Sequence, residues 1–158
     1  LFMQGVFADL LVAILAAMLI VAAAGDLRTR TIPNWLNGAI ALGAIPFWIA
    51  SGMALWPDIT FQVAVAAAVF GLFTAAFCMG AMGGGDVKMV AAIALWLPLG
   101  AVMKLLVIMS LAGGVLTIAM LVRRRMAKSR AQLEIPYGVA IAFGGFWLIG
   151  ERFLNQFG

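Results

Sequence analysis

The sequence predicts an all-α polytopic membrane protein with about six transmembrane helices. Two observations carry that prediction. Hydrophobic residues make up 66% of the 158-residue chain and charged residues only 10%, against about 45–50% and 25% in soluble domains. The apolar residues also fall into six runs separated by short gaps that hold most of the charge. A soluble globule of this size cannot cover so much apolar surface, so lipid is the expected solvent. Residues 1–158 read as a single membrane domain.

A helix needs about 20 apolar residues, with a range of about 17–25, to cross the hydrocarbon core. The first run, Val6–Gly25, meets that length. Its acidic flank and the Asp26 at its end speak against a cleavable signal peptide. Trp35–Ser51 is a second run with an expected bend at Pro46, introduced by Pro33 and Asn34. At a helix start Asn caps and Pro is tolerated, and a substrate contact is the alternative for both. Phe61–Gly80 is the third, with Asp58 after Pro57 as an expected N-cap on its outer end. Gly100–Val122 and Tyr137–Leu154 are the fifth and sixth, and Arg123–Glu134 reads as a polar cytoplasmic loop between them.

The fourth run, Val87–Leu97, has only eleven residues. At ~1.5 Å per residue it reaches about half of a ~30 Å core. Either the helix continues beyond Pro98, or it starts below the surface and Gly80–Asp86 dips into the bilayer without helical structure. Backbone of that kind survives only where protein buries it or a wet cavity receives it. Small residues such as Ala64–Ala68, Gly113-Gly114 and Gly144-Gly145 fit close helix packing.

With both termini outward, the inner segments 26–34, 80–88 and 123–136 hold Arg28, Arg30, Lys88, Arg123, Arg124, Arg125, Lys128 and Arg130, eight of the ten basic residues. The positive-inside rule then places Asp26 and Asp86 on the cytoplasmic face. Asp9, Lys104, Glu151 and Arg152 fall near the outer surface. The basic residues are not interleaved with stacking aromatics, so the net charge of +4 reads as topology and anionic-lipid contact rather than nucleic-acid binding.

There is no histidine, which removes Ser-His-Asp and Cys-His catalysis and imidazole metal sites. The one cysteine, Cys78, reads as a small buried hydrophobe. No metal or cofactor is expected. Gly83-Gly84-Gly85-Asp86-Val87-Lys88 lacks the Gly-x-x-x-x-Gly-Lys-Ser/Thr spacing of a P-loop. Chemistry therefore rests on carboxylates, lysine, hydroxyls or backbone groups.

Of six acidic residues, Asp26 and Asp86 end and begin apolar runs at the same face. An ionisable group at membrane depth is costly and marks a functional hypothesis. Two carboxylates that meet can hydrolyse an amide by sharing one proton, provided helices one and four are neighbours. Read singly, each is a helix cap or interfacial charge. Lys88 reads two ways, as a partner for a substrate carboxyl or as a snorkelling side chain. Tyr137 either orients a carboxylate or anchors at the interface. Two other classes compete with a protease. A proton- or cation-coupled transporter would carry two related repeats with paired half-helices. A non-catalytic assembly subunit would need neither aspartate.

Three motifs resemble those of the type IV prepilin peptidases. Gly83-Gly84-Gly85-Asp86, with Lys88 two residues on, matches that family's Gly-x-Gly-Asp. Asp26 precedes Ile32-Pro33-Asn34 as its first aspartate does, and Ile135-Pro136-Tyr137-Gly138 matches its element before the last helix. The resemblance implies a Gly-x-Gly-Asp aspartyl protease of the bacterial inner membrane, with Asp26 and Asp86 catalytic. It implies substrate-positioning roles around Ile32, Pro33, Asn34, Gly83, Gly85, Lys88, Pro136, Tyr137 and Gly138. The partners it implies are a prepilin or pseudopilin helix and pilus assembly machinery, with cleavage after a glycine at the end of a cytoplasmic leader. Longer members carry a cysteine-bearing methyltransferase insertion, and this chain resembles the short Flp-type, tight-adherence form.

Overall fold

The computed structural model of the chain describes residues 2–126 and 135–156. It is built of α1 (Phe2–Thr29), α2 (Asn34–Ala50), α3 (Thr60–Cys78), α4 (Gly84–Ala94), α5 (Leu99–Met126) and α6 (Tyr137–Gln156), with a wide helical turn at Leu55–Ile59 before α3. All six expected helices are present. Fewer than six are by themselves long and apolar enough to cross a membrane. Among the described residues three helices are long and apolar enough to cross a membrane, at Gly5–Thr29, Leu55–Cys78 and Leu99–Met126. α2 and α4 have 17 and 11 residues, and Glu151, Arg152 and several glycines dilute the hydropathy of α6.

α1, α2, α4 and α6 form a ring in which each helix packs on the next. α3 lies outside α4, and α5 lies outside α6. The centre is dry: Leu19, Leu36, Ile40, Met89, Ile93, Leu105 and Ile141 are fully buried. Large apolar side chains also cover the outside, among them Ile20, Leu42, Leu72, Leu111 and Ile118, as expected where lipid replaces water. Gly144 and Gly145 set two of the contacts. A Cβ on Gly144 would stand 2.9 Å from Leu105 of α5, and one on Gly145 2.6 Å from Leu19 of α1. Only bare backbone admits both neighbours at once.

The short fourth helix stops at Ala94 instead of running past Pro98. A helix end leaves four carbonyls without partners, and in an apolar interior each needs a donor. Buried Gln62 of α3 supplies one from its Nε2, which reaches the carbonyls of Ala94 at 3.3 Å, Leu95 at 3.2 Å and also Leu97. Trp48 Nε1 donates to the Leu95 carbonyl at 2.9 Å. These side chains let a half-length helix end inside the bundle.

Several expectations change in detail. α2 runs on through Pro46, and Asn34 opens it without a side-chain capping bond. Asp58 accepts from the Ala54 N–H at 3.1 Å, closing the preceding turn rather than capping α3. Cys78 is exposed, because α3 packs through one face only. Arg123, Arg124 and Arg125 are the last turn of α5, not loop; their charge favours a helix C-terminus. Lys128, Arg130 and Glu134 lie outside the described residues. At the far end from Asp26, the four charges expected at the outer surface pair across helices, Lys104 with Glu151 at 2.6 Å and Arg152 with Asp9 at 3.2 Å.

Candidate active site

Asp26 and Asp86 line one cavity of about 390 Å³, together with Arg30, the 80–83 turn, Ile135 and Tyr137. The two carboxyls are close enough to interact electrostatically. They do not meet through extensive α1–α4 packing. α2 and α6 each pack on both α1 and α4 and hold them at one end.

Asp26 is 5% exposed and sits three residues before the end of α1. An acid near a helix C-terminus runs against the macrodipole and cannot cap there, so helix stability does not account for it. Backbone N–H groups of Gly138 and Val139, in the first turn of α6, are placed against its carboxyl, and Arg30 faces it electrostatically. Its Oδ2 is buried with no hydrogen-bond partner among the described residues. Arg30 has φ 56°, a left-handed residue that ends α1 and turns the chain toward α2.

Asp86 is 8% exposed. The non-helical stretch expected over Gly80–Asp86 is shorter, because α4 begins at Gly84 and Asp86 is already in its first turn. Gly83 is the N-cap, and its N–H is placed against the Asp86 carboxyl, the arrangement of half a capping box. The cap reading therefore holds geometrically for Asp86, yet the same side chain opens onto the cavity shared with Asp26.

The glycines act through space rather than through unusual dihedrals. Gly83 has φ −74°, and the positive φ falls at Gly80, 72°. A Cβ on Gly83 would stand 2.9 Å from Asp86 Oδ2, and one on Gly85 3.3 Å from Ile32 Cβ and 3.4 Å from its carbonyl oxygen. On Gly84 it would meet only the Phe77 ring, at 3.4 Å. Of the motif glycines Gly138 is the most crowded: its Cβ would lie 2.8 Å from Ile32 Cδ1, 2.9 Å from Asp26 Oδ2 and 3.0 Å from Asp26 Cγ. Ile32, buried between Gly85 and Gly138, thus spaces the two helix starts that carry Asp86 and face Asp26.

The remaining motif residues take supporting places. Pro33 is the N-cap of α2, and its carbonyl accepts from Leu36 and Asn37. Lys88 Nζ donates to Asn34 Oδ1 at 2.8 Å, tying α4 to α2, so both side chains already have a partner. Pro136 is buried just before α6. The Tyr137 ring lies over Gly113 of α5, where a Cβ would come within 3.2 Å of it, and borders the cavity.

Two site residues were not singled out from sequence. Arg30, assigned to topology, lines the cavity. Asn37, buried in α2, donates from Nδ2 to the Gly85 carbonyl at 3.1 Å and so holds the peptide preceding Asp86. Its spacing of three from Asn34 places both on one helix face, a signal the sequence does contain.

The profile of the type IV leader peptidase family matches residues 13–118, two-thirds of the chain. The chain belongs to that family. Membership makes the leader peptidase a protease and therefore a hydrolase. The matched stretch includes Asp26, Ile32-Pro33-Asn34 and Gly83–Lys88, while Ile135–Gly138 lies past its end. No curated protein and no solved structure matches the chain. Among the described residues no group of three or more His, Cys, Asp or Glu side chains could hold a metal ion.

Proposed function

We propose that this leader peptidase is an aspartyl endopeptidase in which Asp26 and Asp86 are the catalytic pair. Its substrate is a prepilin or pseudopilin, the class that the leader peptidase family supports. The observation that carries the reading is two carboxyls, each more than nine-tenths buried, facing one cavity. Carboxyls held this near share a proton, since both cannot ionise cheaply.

In the reaction, the ionised carboxylate takes a proton from water as its oxygen bonds the scissile carbonyl carbon. The protonated carboxyl gives its proton to the carbonyl oxygen, forming a gem-diol. Collapse breaks the C–N bond while the proton held by the first carboxylate passes to the leaving amine and the other carboxylate regains its own. Gly138 and Val139 orient Asp26, and the Gly83 N–H with the Asn37–Gly85 bond orients the turn bearing Asp86.

Arg28, Arg30, Lys88 and the Arg123–Arg125 turn share the cavity's end of the bundle. The positive-inside rule favours that end as cytoplasmic, with the N-terminus outside the inner membrane. A transporter would want paired half-helices in related repeats, whereas the described residues hold one such helix, α4.

The test is purified protein in proteoliposomes with a helix-anchored precursor bearing a basic leader, the products read by mass spectrometry. One cut, after the glycine that ends the leader, is expected. An uncut precursor under conditions where the protein is folded would refute the assignment.

A further inference from the structure

Among the described residues Arg30 is the one residue other than glycine with a left-handed backbone, at φ 56°. Helices commonly end on such a residue, and glycine is its usual occupant because a Cβ crowds the following carbonyl there. The turn itself does not ask for arginine. The Arg30 N–H closes α1 on the Asp26 carbonyl at 3.1 Å, a bond any residue but proline makes. Beside it, Thr29 Oγ1 bonds the Gly25 carbonyl and the Thr31 hydroxyl, both at 2.9 Å. Nor does topology or the helix dipole need a charge at this place, since Arg28 already supplies one in the last turn of α1. What the left-handed turn does is bring Arg30 to the wall of the carboxyl cavity, where it is the only cation among the lining residues. It faces the Asp26 carboxyl electrostatically, yet no ion pair or hydrogen bond to a described residue holds its guanidinium. Arg30 is also exposed, so its donors are open to a guest.

We propose that Arg30 binds the carboxylate that cleavage creates at the end of the leader. The inference rests on the leader-peptidase reading and deepens it by one residue. Hydrolysis puts the water's hydroxyl on the acyl carbon and a proton on the leaving nitrogen, so the leader departs as an acid and the mature helix as an amine. Near neutral pH that acid gives up its proton, to the amine or to water. The new anion then stands beside two carboxyls that share one proton and so already carry one negative charge. Like charges confined to one cavity repel more strongly than in bulk water, because less solvent screens them. A guanidinium on the same wall offsets that repulsion, and its planar fork fits a carboxylate through two N–H groups at once. The uncut peptide offers only a neutral carbonyl at this point. The contact therefore strengthens as the product forms.

The experiment measures how two synthetic leaders inhibit precursor cleavage by the full chain in proteoliposomes at neutral pH. Both end in the same glycine, one as the free acid and the other as the carboxamide. They carry the same basic residues, so their difference isolates the terminal charge. A charge-assisted hydrogen-bonded pair is worth about ten- to a hundredfold in affinity, and the acid should inhibit at least about tenfold more strongly than the amide. Arg30→Gly should bring the two within about threefold of each other, and glycine suits the left-handed position, so this variant should fold and insert normally. Arg30→Gln should remove the preference in the same way. Arg28→Gln takes a charge from the same helix end but not from the cavity lining, and should keep the full preference. Equal inhibition by acid and amide, no inhibition by the acid, or a preference that survives in both Arg30 variants would each overturn the proposal. So would a preference that Arg28→Gln loses equally. An unsubstituted chain that cuts no precursor would instead remove the leader-peptidase reading itself, which is a separate result.

Discussion

Gly138→Ala adds one methyl group at the point where α6 meets Asp26. That carbon would sit 2.9 Å from Asp26 Oδ2, 3.0 Å from its Cγ and 2.8 Å from Ile32 Cδ1. Ordinary contact is about 3.5–4.0 Å, so the carboxyl, or the whole start of α6, must retreat by roughly 0.5–1 Å. Ile32 Cδ1 is the free end of a side chain and can turn aside, so the contact with the Asp26 carboxyl decides the cost. Retreat also draws Asp26 from the N–H groups of Gly138 and Val139. Misplacing a catalytic group by ~1 Å costs about a hundredfold in rate, and overpacking costs about 1–3 kcal/mol in stability. Initial rates of leader removal in proteoliposomes, at matched protein and with helix content checked by circular dichroism, should therefore fall about a hundredfold. Gly114→Ala is the control, since its Cβ would meet nothing within 4 Å, and should match the unsubstituted chain. A Gly138→Ala rate equal to that of Gly114→Ala would refute the placement of Asp26 as the reason for this glycine.

The triglycine should behave unevenly in the same assay. Gly83→Ala presses Asp86 Oδ2 and Gly85→Ala presses Ile32, so both should lose most activity, while Gly84→Ala, against the Phe77 ring alone, keeps most of it; equal tolerance at all three would count against a positioned Asp86. Chelation should leave the rate unchanged, and a loss restored by one particular metal would contradict a purely carboxylate mechanism. A cysteine placed at Lys128, after Cys78 is replaced, should label from the cytoplasmic side, and labelling from outside would invert the topology.

Helix positions were legible because hydropathy runs announce them: α2, α3 and α6 begin within one residue of the apolar runs that predicted them. Depth was not, since a run's length does not say what meets its end. α4 can stop half-way because Gln62 and Trp48 take up its last carbonyls, a tertiary fact carried by residues more than thirty positions away. Both aspartates stood out against an apolar background. That they meet by way of α2 and α6 depends on Ile32, Gly85 and Gly138 fitting together. Of the 80–85 glycines only Gly80 has a positive φ, while Gly83 and Gly85 are set by crowding; a sequence does not distinguish a bent backbone from a crowded one. Asn37 escaped because one amide in an apolar helix looks like ordinary packing until its carbonyl partner is known.

The most direct measurement of the central claim is leader removal by Asp26→Asn, Asp86→Asn and the double variant in the same vesicles. Asparagine keeps the shape of each side chain but can neither take a proton from water nor share one. Groups that act as a unit lose activity non-additively. Each single variant, correctly inserted, is predicted to stop processing as fully as the double. Substantial cleavage by either single variant would show that Asp26 and Asp86 do not work as one pair.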